Sequence, residues 1–353
     1  AMGRLSSIFS VTERSSSPKK SRVRDHENNG RKAAGSLLKD AYRKQTVIKS
    51  CGFMHLTGSD NLVSVHSKRG HKGSNQDRVL AWDEFGCQAD MMFCGIFDGH
   101  GQWGHYVSKR ARDTLPSFLL CNWQEALHPN SESHDTKQFE YDVWKDACIQ
   151  SCDAVDRELK HFRNVDCFHS GTTALALIRQ GDHVVIANVG DSRAVLGTVS
   201  GEGRLMALQL TTDFKPDLPE EKKRIKQSNG RVFCLRDEPG VPRVWLPNAD
   251  SPGLAMSRAF GDYCVKEYGV TSLPEVTYRR ITCDDKFIIL ATDGVWDVLS
   301  SEEAVEILHR SKDQATAAKR LVEVAILAWK LKKKGIARDD ISAICLFFRS
   351  SCS

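Results

Sequence analysis

Apolar residues in this chain gather in short runs that end on acidic or glycine-containing turns. Met92 to Phe97 runs into Asp98-Gly99-His100-Gly101, and Phe287 to Thr292 runs into Asp293-Gly294-Val295-Trp296-Asp297. Val184 to Val189 ends on Gly190-Asp191-Ser192-Arg193, and Arg338-Asp339-Asp340-Ile341-Ser342 leads into Ala343 to Phe348. Runs of this length without a helical period predict buried strands. Further strands are predicted at Leu62–His66, Val79–Trp82, Thr172–Ile178, Arg193–Thr198 and Leu205–Leu210. Short turns between consecutive strands predict antiparallel pairing, with Asp191 in a hairpin turn. A different period marks the helices. Val107, Ala111, Leu115 and Leu119 recur every four residues, and Phe139, Val143, Ala147, Cys148, Val155 and Leu159 share one face. Glu220–Gln227, Glu302–Arg310 and Ala315–Lys333 are the remaining helices expected. Strand blocks separated by amphipathic helices predict helices packed on sheets, an α+β class.

The first 49 residues carry 12 Lys/Arg against 4 Asp/Glu; the totals are 50 and 45, so 38 basic and 41 acidic residues remain. The basic character therefore belongs to the tail, and a slightly acidic remainder argues against a nucleic-acid-binding domain. Residues 1–60 are expected to form a disordered basic tail and residues 61–353 one domain. Ala1 reads as an added residue ahead of Met2, and Met2-Gly3-Arg4-Leu5-Ser6-Ser7 fits the pattern for acylation at Gly3. Lys19, Lys20, Arg22 and Arg24 would supply an electrostatic second membrane signal. The sequence shows neither a membrane-spanning run nor a signal-peptide core. Its 12 cysteines include no C-x-x-C pair, and Cys94, Cys283 and Cys345 lie in or beside apolar runs, so they are expected to be reduced core residues of an intracellular protein.

Four acidic strand ends, far apart in sequence, suggest carboxylates brought together. Hard oxygens with few histidines or thiolates nearby suit Mg²⁺ or Mn²⁺ better than zinc. His100 can move a proton near neutral pH. An Asp-Gly turn after a strand is also ordinary turn chemistry, so one such stretch alone decides nothing.

FDGHG, SGTTA, NVGDSRAVL, SRAFGD, ATDGVWDV and DDIS follow one another in register. In this order they resemble the type 2C metal-dependent Ser/Thr protein phosphatases, over about Val63 to Phe348 and most closely the plant members. The resemblance implies an α-β-β-α sandwich of two antiparallel sheets flanked by helices. It implies hydrolysis of phosphoserine and phosphothreonine in proteins, at a site holding two Mg²⁺ or Mn²⁺ ions roughly 3.5–4 Å apart. Asp98 would bridge the ions, Asp293 and Asp339 would complete the first, and the Gly99 carbonyl would bind the second. Asp191 resembles a ligand of a third ion shared with Asp293, with the hairpin-turn reading beside it. His100 would protonate the leaving oxygen, and Gln76, Asp77 and Asp297 would surround the ligands.

The sequence departs from the family pattern at Lys72, which stands where many members have a phosphate-binding arginine, and at Gln76, where they have glutamate. Lysine keeps the charge but loses the two-pronged donor. These two residues favour a competing reading, a catalytically weak phosphoprotein-binding relative; the tail favours a membrane-tethered adaptor. Phe214–Arg258 resembles the family's variable flap, where Lys215, Lys222, Lys223 and Arg224 read as an exposed basic face. Phosphatases that partner abscisic-acid receptors carry a tryptophan in that flap. Leu235 stands at the matching place and Trp245 lies elsewhere, so no such partnership is expected. Cytoplasm, nucleus or the inner face of the plasma membrane are the expected locations.

Overall fold

The computed structural model describes residues 32–127 and 136–348, apart from 42, 45, 58–60 and 164, and excluding the side chains of 136–140. The acylation pattern at Met2 and Gly3 and the basic cluster at 19–24 lie outside the described residues.

Two six-stranded sheets form the centre. The first runs Val47–Ile48, Arg78–Asp83, Met91–Phe97, Ala174–Gln180, His183–Val189, Glu275–Arg280. The second runs Leu205–Gln209, Arg193–Val199, Asp285–Ala291, Ile341–Phe347, Leu62–Lys68, Gly52–His55. Every neighbouring pair in both sheets is antiparallel.

The continuous apolar runs follow from burial on both faces. Side chains alternate across a strand, so a strand covered on each side needs apolar residues at every position. Met92, Cys94 and Ile96 join Val65, Leu177, Ile288 and Leu346 in the core between the sheets. Phe93 and Phe97, from the same strand, point the other way and pack with Leu115, Leu119, Cys148 and Val155 of the helices Gly104–Ala126 and Thr136–Lys160. On the second sheet Ile289 and Ala291 pack outward against Ser301–His309 and Ala317–Lys332, through Val305, Leu308, Leu321 and Val322. The result is the expected four layers, α-β-β-α.

Several expectations change. The chain is folded well ahead of Asn61. Residues 32–41 are helical and bury Ala34, Leu38 and Ala41 in the first helical layer, while Val47–Ile48 and Gly52–His55 extend the two sheets. Ala34, Leu38 and Ala41, with Leu37 beside them, lie at helical spacing inside a stretch otherwise rich in charged and polar residues. Asp191 is not in a hairpin turn: the strands on either side of it belong to different sheets, so Gly190–Ser192 crosses the sandwich. Glu275–Arg280 is a strand that the apolar pattern does not predict, since three of its six residues are charged, as suits a sheet edge. Cys283 is exposed, whereas Cys94 and Cys345 are buried as expected. Among the described residues no helix is long and apolar enough to cross a membrane.

The flap has its own small core. Pro219–Gln227 is a helix, and Arg231–Phe233, Arg243–Leu246 and Ala249–Leu254 form a three-stranded sheet. Ile225, Val244, Leu254, Met256 and Val265 pack together beneath them. Lys215 and Arg224 are not a solvated face. Arg224 and Arg258 both pair with the buried Glu221 carboxylate, at 2.6 and 2.9 Å, and Ser257 Oγ donates to it. Burial alone would raise the pKa of Glu221, but hydrogen bonds from Arg224, Arg258 and Ser257 outweigh that and hold it at about 2 against an ordinary 4.5.

Glu221→Ala leaves two arginines without their shared anion, so the flap should lose roughly 3–5 kcal/mol. Amide hydrogen exchange across 231–254 should accelerate; exchange rates equal to wild type would refute the anchoring role. The folded pKa lies below the unfolded one. The carboxylate's contribution is therefore complete above about pH 4.5 and is lost as the pH falls toward 2.

Candidate metal and phosphate site

The acidic strand ends meet at one edge of the sandwich. Asp98 follows the Met91–Phe97 strand. Its backbone is fixed by Thr173, whose N–H donates to the Asp98 carbonyl at 2.8 Å and whose Oγ1 accepts from the Asp98 N–H at 3.0 Å. Gly99–His100 pairs with Gly171–Thr172, which pairs in turn with Phe260–Gly261, so three motifs distant in sequence form one small sheet. A Cβ on Gly99 would stand 2.4 Å from the Gly104 carbonyl oxygen, which no side chain permits.

Asp293 opens a helical turn at the end of the Asp285–Ala291 strand, and Asp339 and Asp340 directly precede Ile341–Phe347. Asp340 accepts from the backbone N–H groups of Gly70 and Gln76, both at 2.6 Å, and so holds the 70–76 turn over the site. Gln76 Nε2 donates to the Gly101 carbonyl at 2.9 Å, fixing the two glycine-bearing loops together. Asp77 is buried beneath them and accepts from Thr292 Oγ1 at 3.0 Å. Asp297 is exposed at the rim, 3.6 Å from Lys333 Nζ.

Burial and mutual repulsion together set the electrostatics. Burial, then the charges of Asp77, Asp293, Asp339 and Asp191, push the Asp98 carboxyl well above the usual range. Burial, then Asp191 and Asp339, do the same to Asp293, with Lys215 partly opposing them. Burial likewise raises Asp77 to about 7, helped by Asp340 and Asp339 and opposed by hydrogen bonds from Ser342 and Thr292. Two lysines lean into this field. Lys72 Nζ lies 2.5 Å from Asp339 Oδ2, and Lys215 pairs with Asp191. Burial lowers the pKa of each lysine, but these carboxylates outweigh it and raise both.

His100 has a partner the sequence reading missed. Its Nε2 lies 2.6 Å from Oδ2 of the buried Asp262, the last residue of SRAFGD. Burial lowers the pKa of His100, but the charge and hydrogen bond of Asp262 more than offset this, and the net shift is upward. Asp340 and Lys215 were also missed. Both Asp262 and Asp340 stood inside motifs already recognised, but pairing across 162 residues leaves no local signal.

The donor set fits divalent cations. Hard oxygens crowd together, and the buried Oδ1 atoms of Asp77 and Asp191 have no hydrogen-bond partner among the described residues. Among the described residues no three carboxylates, imidazoles or thiols close on a single point.

The family described as Protein phosphatase 2C matches residues 61–330. Probable protein phosphatase 2C 34 of Arabidopsis thaliana is 55% identical over 354 residues, covering 100% of this chain and 99% of that protein. Probable protein phosphatase 2C 48 of Oryza sativa subsp. japonica is 52% identical, covering 99% of each. In structure, the chain is similar to a serine-threonine phosphatase 2C from Toxoplasma gondii, with a TM-score of 0.76, 26% identity, and coverage of 86% of this chain and 99% of that one. The acidic edge of the sandwich and these relatives agree: the chain belongs to the protein phosphatase 2C family.

Proposed function

We propose that this chain, a serine/threonine phosphatase by family, hydrolyses phosphoserine and phosphothreonine in intracellular signalling proteins at a binuclear Mg²⁺ or Mn²⁺ site. The observation that carries this is the convergence of Asp98, Asp293, Asp339 and Asp191 in a field of mutual repulsion. Asp98, the Gly99 carbonyl, Asp293 and Asp339 would hold two ions, and Asp191 with Asp293 a third. The ions, when bound, supply a water of lowered pKa and neutralise charge on the phosphoryl group. Lys72, half exposed beside Asp339, attracts the substrate phosphate as a point charge. Asp262 holds the His100 ring through Nε2 and favours its protonated form, which would supply the proton to the leaving serine or threonine oxygen.

An abscisic-acid receptor is not among the proposed partners. Leu235 has no indole to offer, and Trp245 is buried, its Nε1–H donating to the Phe233 carbonyl at 3.0 Å. The proposal places the enzyme in the cytoplasm or nucleus, with a membrane tether through acylation at Gly3.

Divalent metal should raise the melting temperature as well as support turnover. A hundredfold excess over Kd stabilises by about 2.7 kcal/mol. Asp98→Asn should lose both the shift and most activity, and chelation should abolish activity in the wild type. A melting temperature indifferent to Mn²⁺ and Mg²⁺ would overturn the cation reading.

Asp262→Asn should lower the basic limb of the kcat/KM profile on a phosphopeptide, because the acid form of His100 is lost as the pH rises through its pKa. Hydrolysis of p-nitrophenyl phosphate, whose leaving group scarcely needs a proton, should keep its profile. His100→Ala should cost the phosphopeptide reaction about 10²–10⁴. An unmoved basic limb in Asp262→Asn would count against this pairing.

Lys72→Met should raise KM on a phosphopeptide more than it lowers kcat, the mark of lost ground-state binding. Should KM stay at the wild-type value while more Mn²⁺ is needed for half activity, the lysine serves Asp339 and not the substrate.

A further inference from the structure

The helix Ala317–Lys332 has two faces of different character. Inward, Leu321, Val322, Ala325 and Trp329 pack on the second sheet. Outward, Leu327 and Leu331 stand one turn apart and are 57% and 72% exposed, and Ile336, in the turn that follows, is 60% exposed. Large aliphatic side chains exposed to this degree contribute little to the core.

Charge frames them. Arg320, Lys330 and Lys334 are exposed around the two leucines. Among the described residues none of the three has a carboxylate partner. Neighbouring cations are already committed: Lys332 donates to the Val298 carbonyl at 2.7 Å, and Lys333 lies over the Trp329 ring. Glu323, the one acidic residue on this face, lies 3.9 Å from Lys319.

We propose that this face, with the Gly335–Ile336 turn, is a docking surface for an anionic lipid bilayer. Protruding aliphatic side chains ringed by lysine and arginine are the composition of helices that lie in the membrane interface. The leucines enter the acyl boundary, and the cations meet lipid phosphates and carboxylates. The face is the convex outside of a helix, which suits a deformable bilayer better than a protein partner that must supply a matching groove. Asp339 follows Ile336 by three residues, so a docked enzyme presents its site beside the membrane surface. This inference does not rest on the hydrolytic mechanism or on the tail.

Co-sedimentation of the full chain with vesicles tests it. The protein is made in bacteria without an acyltransferase, so Gly3 carries no lipid. Wild type should pellet with phosphatidylcholine vesicles containing phosphatidylserine and stay in solution with phosphatidylcholine alone. Lys330→Gln/Lys334→Gln should weaken binding roughly tenfold or more, since each cation near the surface is worth about 1 kcal/mol. Leu327→Glu/Leu331→Glu should lose it, with p-nitrophenyl phosphate hydrolysis in solution unchanged. A Lys19→Gln/Lys20→Gln/Arg22→Gln/Arg24→Gln variant should still pellet. Wild type that ignores the anionic vesicles would overturn the proposal and leave the face to a protein partner. Face variants that pellet like wild type would overturn it too, as would complete loss of binding in the tail variant alone.

Discussion

Like charges brought together from separate strands are the constraint around which this molecule is arranged. Burial first, and then repulsion from their acidic neighbours, pushes Asp98 and Asp293 toward protonation. No local preference of the chain would gather them. The two sheets do so, because strand register fixes where each carboxylate emerges, and the cores on both faces of each sheet make slippage costly. The lysines at 72 and 215 offset part of the repulsion. What remains is a standing demand for positive charge.

Around this edge the backbone is held by polar side chains more than by apolar ones. Asp340 ties down the 70–76 turn, Thr173 fixes Asp98, and Asp262 orients His100. Each contact joins segments distant in sequence, so the site depends on the whole sandwich. The flap is built differently, with its own apolar cluster and a buried carboxylate shared by two arginines. It is tied to the acidic edge through the Lys215–Asp191 pair.

Much of this was legible in the chain. The doubly buried strands read as continuous apolar runs, and the long helices showed their period. The strand-end aspartates were found because the same pattern recurred four times. What escaped was information that resides in pairing. Glu275–Arg280 carries no apolar run to read, because an edge strand bears charge. The helix at 32–41 is masked in the sequence because its short apolar period, two alanines and two leucines, is embedded in basic and polar surroundings. Asp262 and Lys215 acquire roles only when a strand or loop from elsewhere arrives beside them. Asp191 was misplaced for a related reason: a Gly-Asp turn looks the same whether the chain doubles back or changes sheets.

That change of sheets has a mechanical consequence. Asp98 hangs from the first sheet, Asp293 and Asp339 from the second, and Asp191 sits on the strap between them. The distance separating these carboxylates is therefore set by the thickness of the layer that fills the sandwich. Adding or removing a methylene at Ile96, Leu177 or Ile288 would act like a shim, opening or closing a pair of jaws at the edge. Residues far from the acidic edge thus set the spacing of its carboxylates.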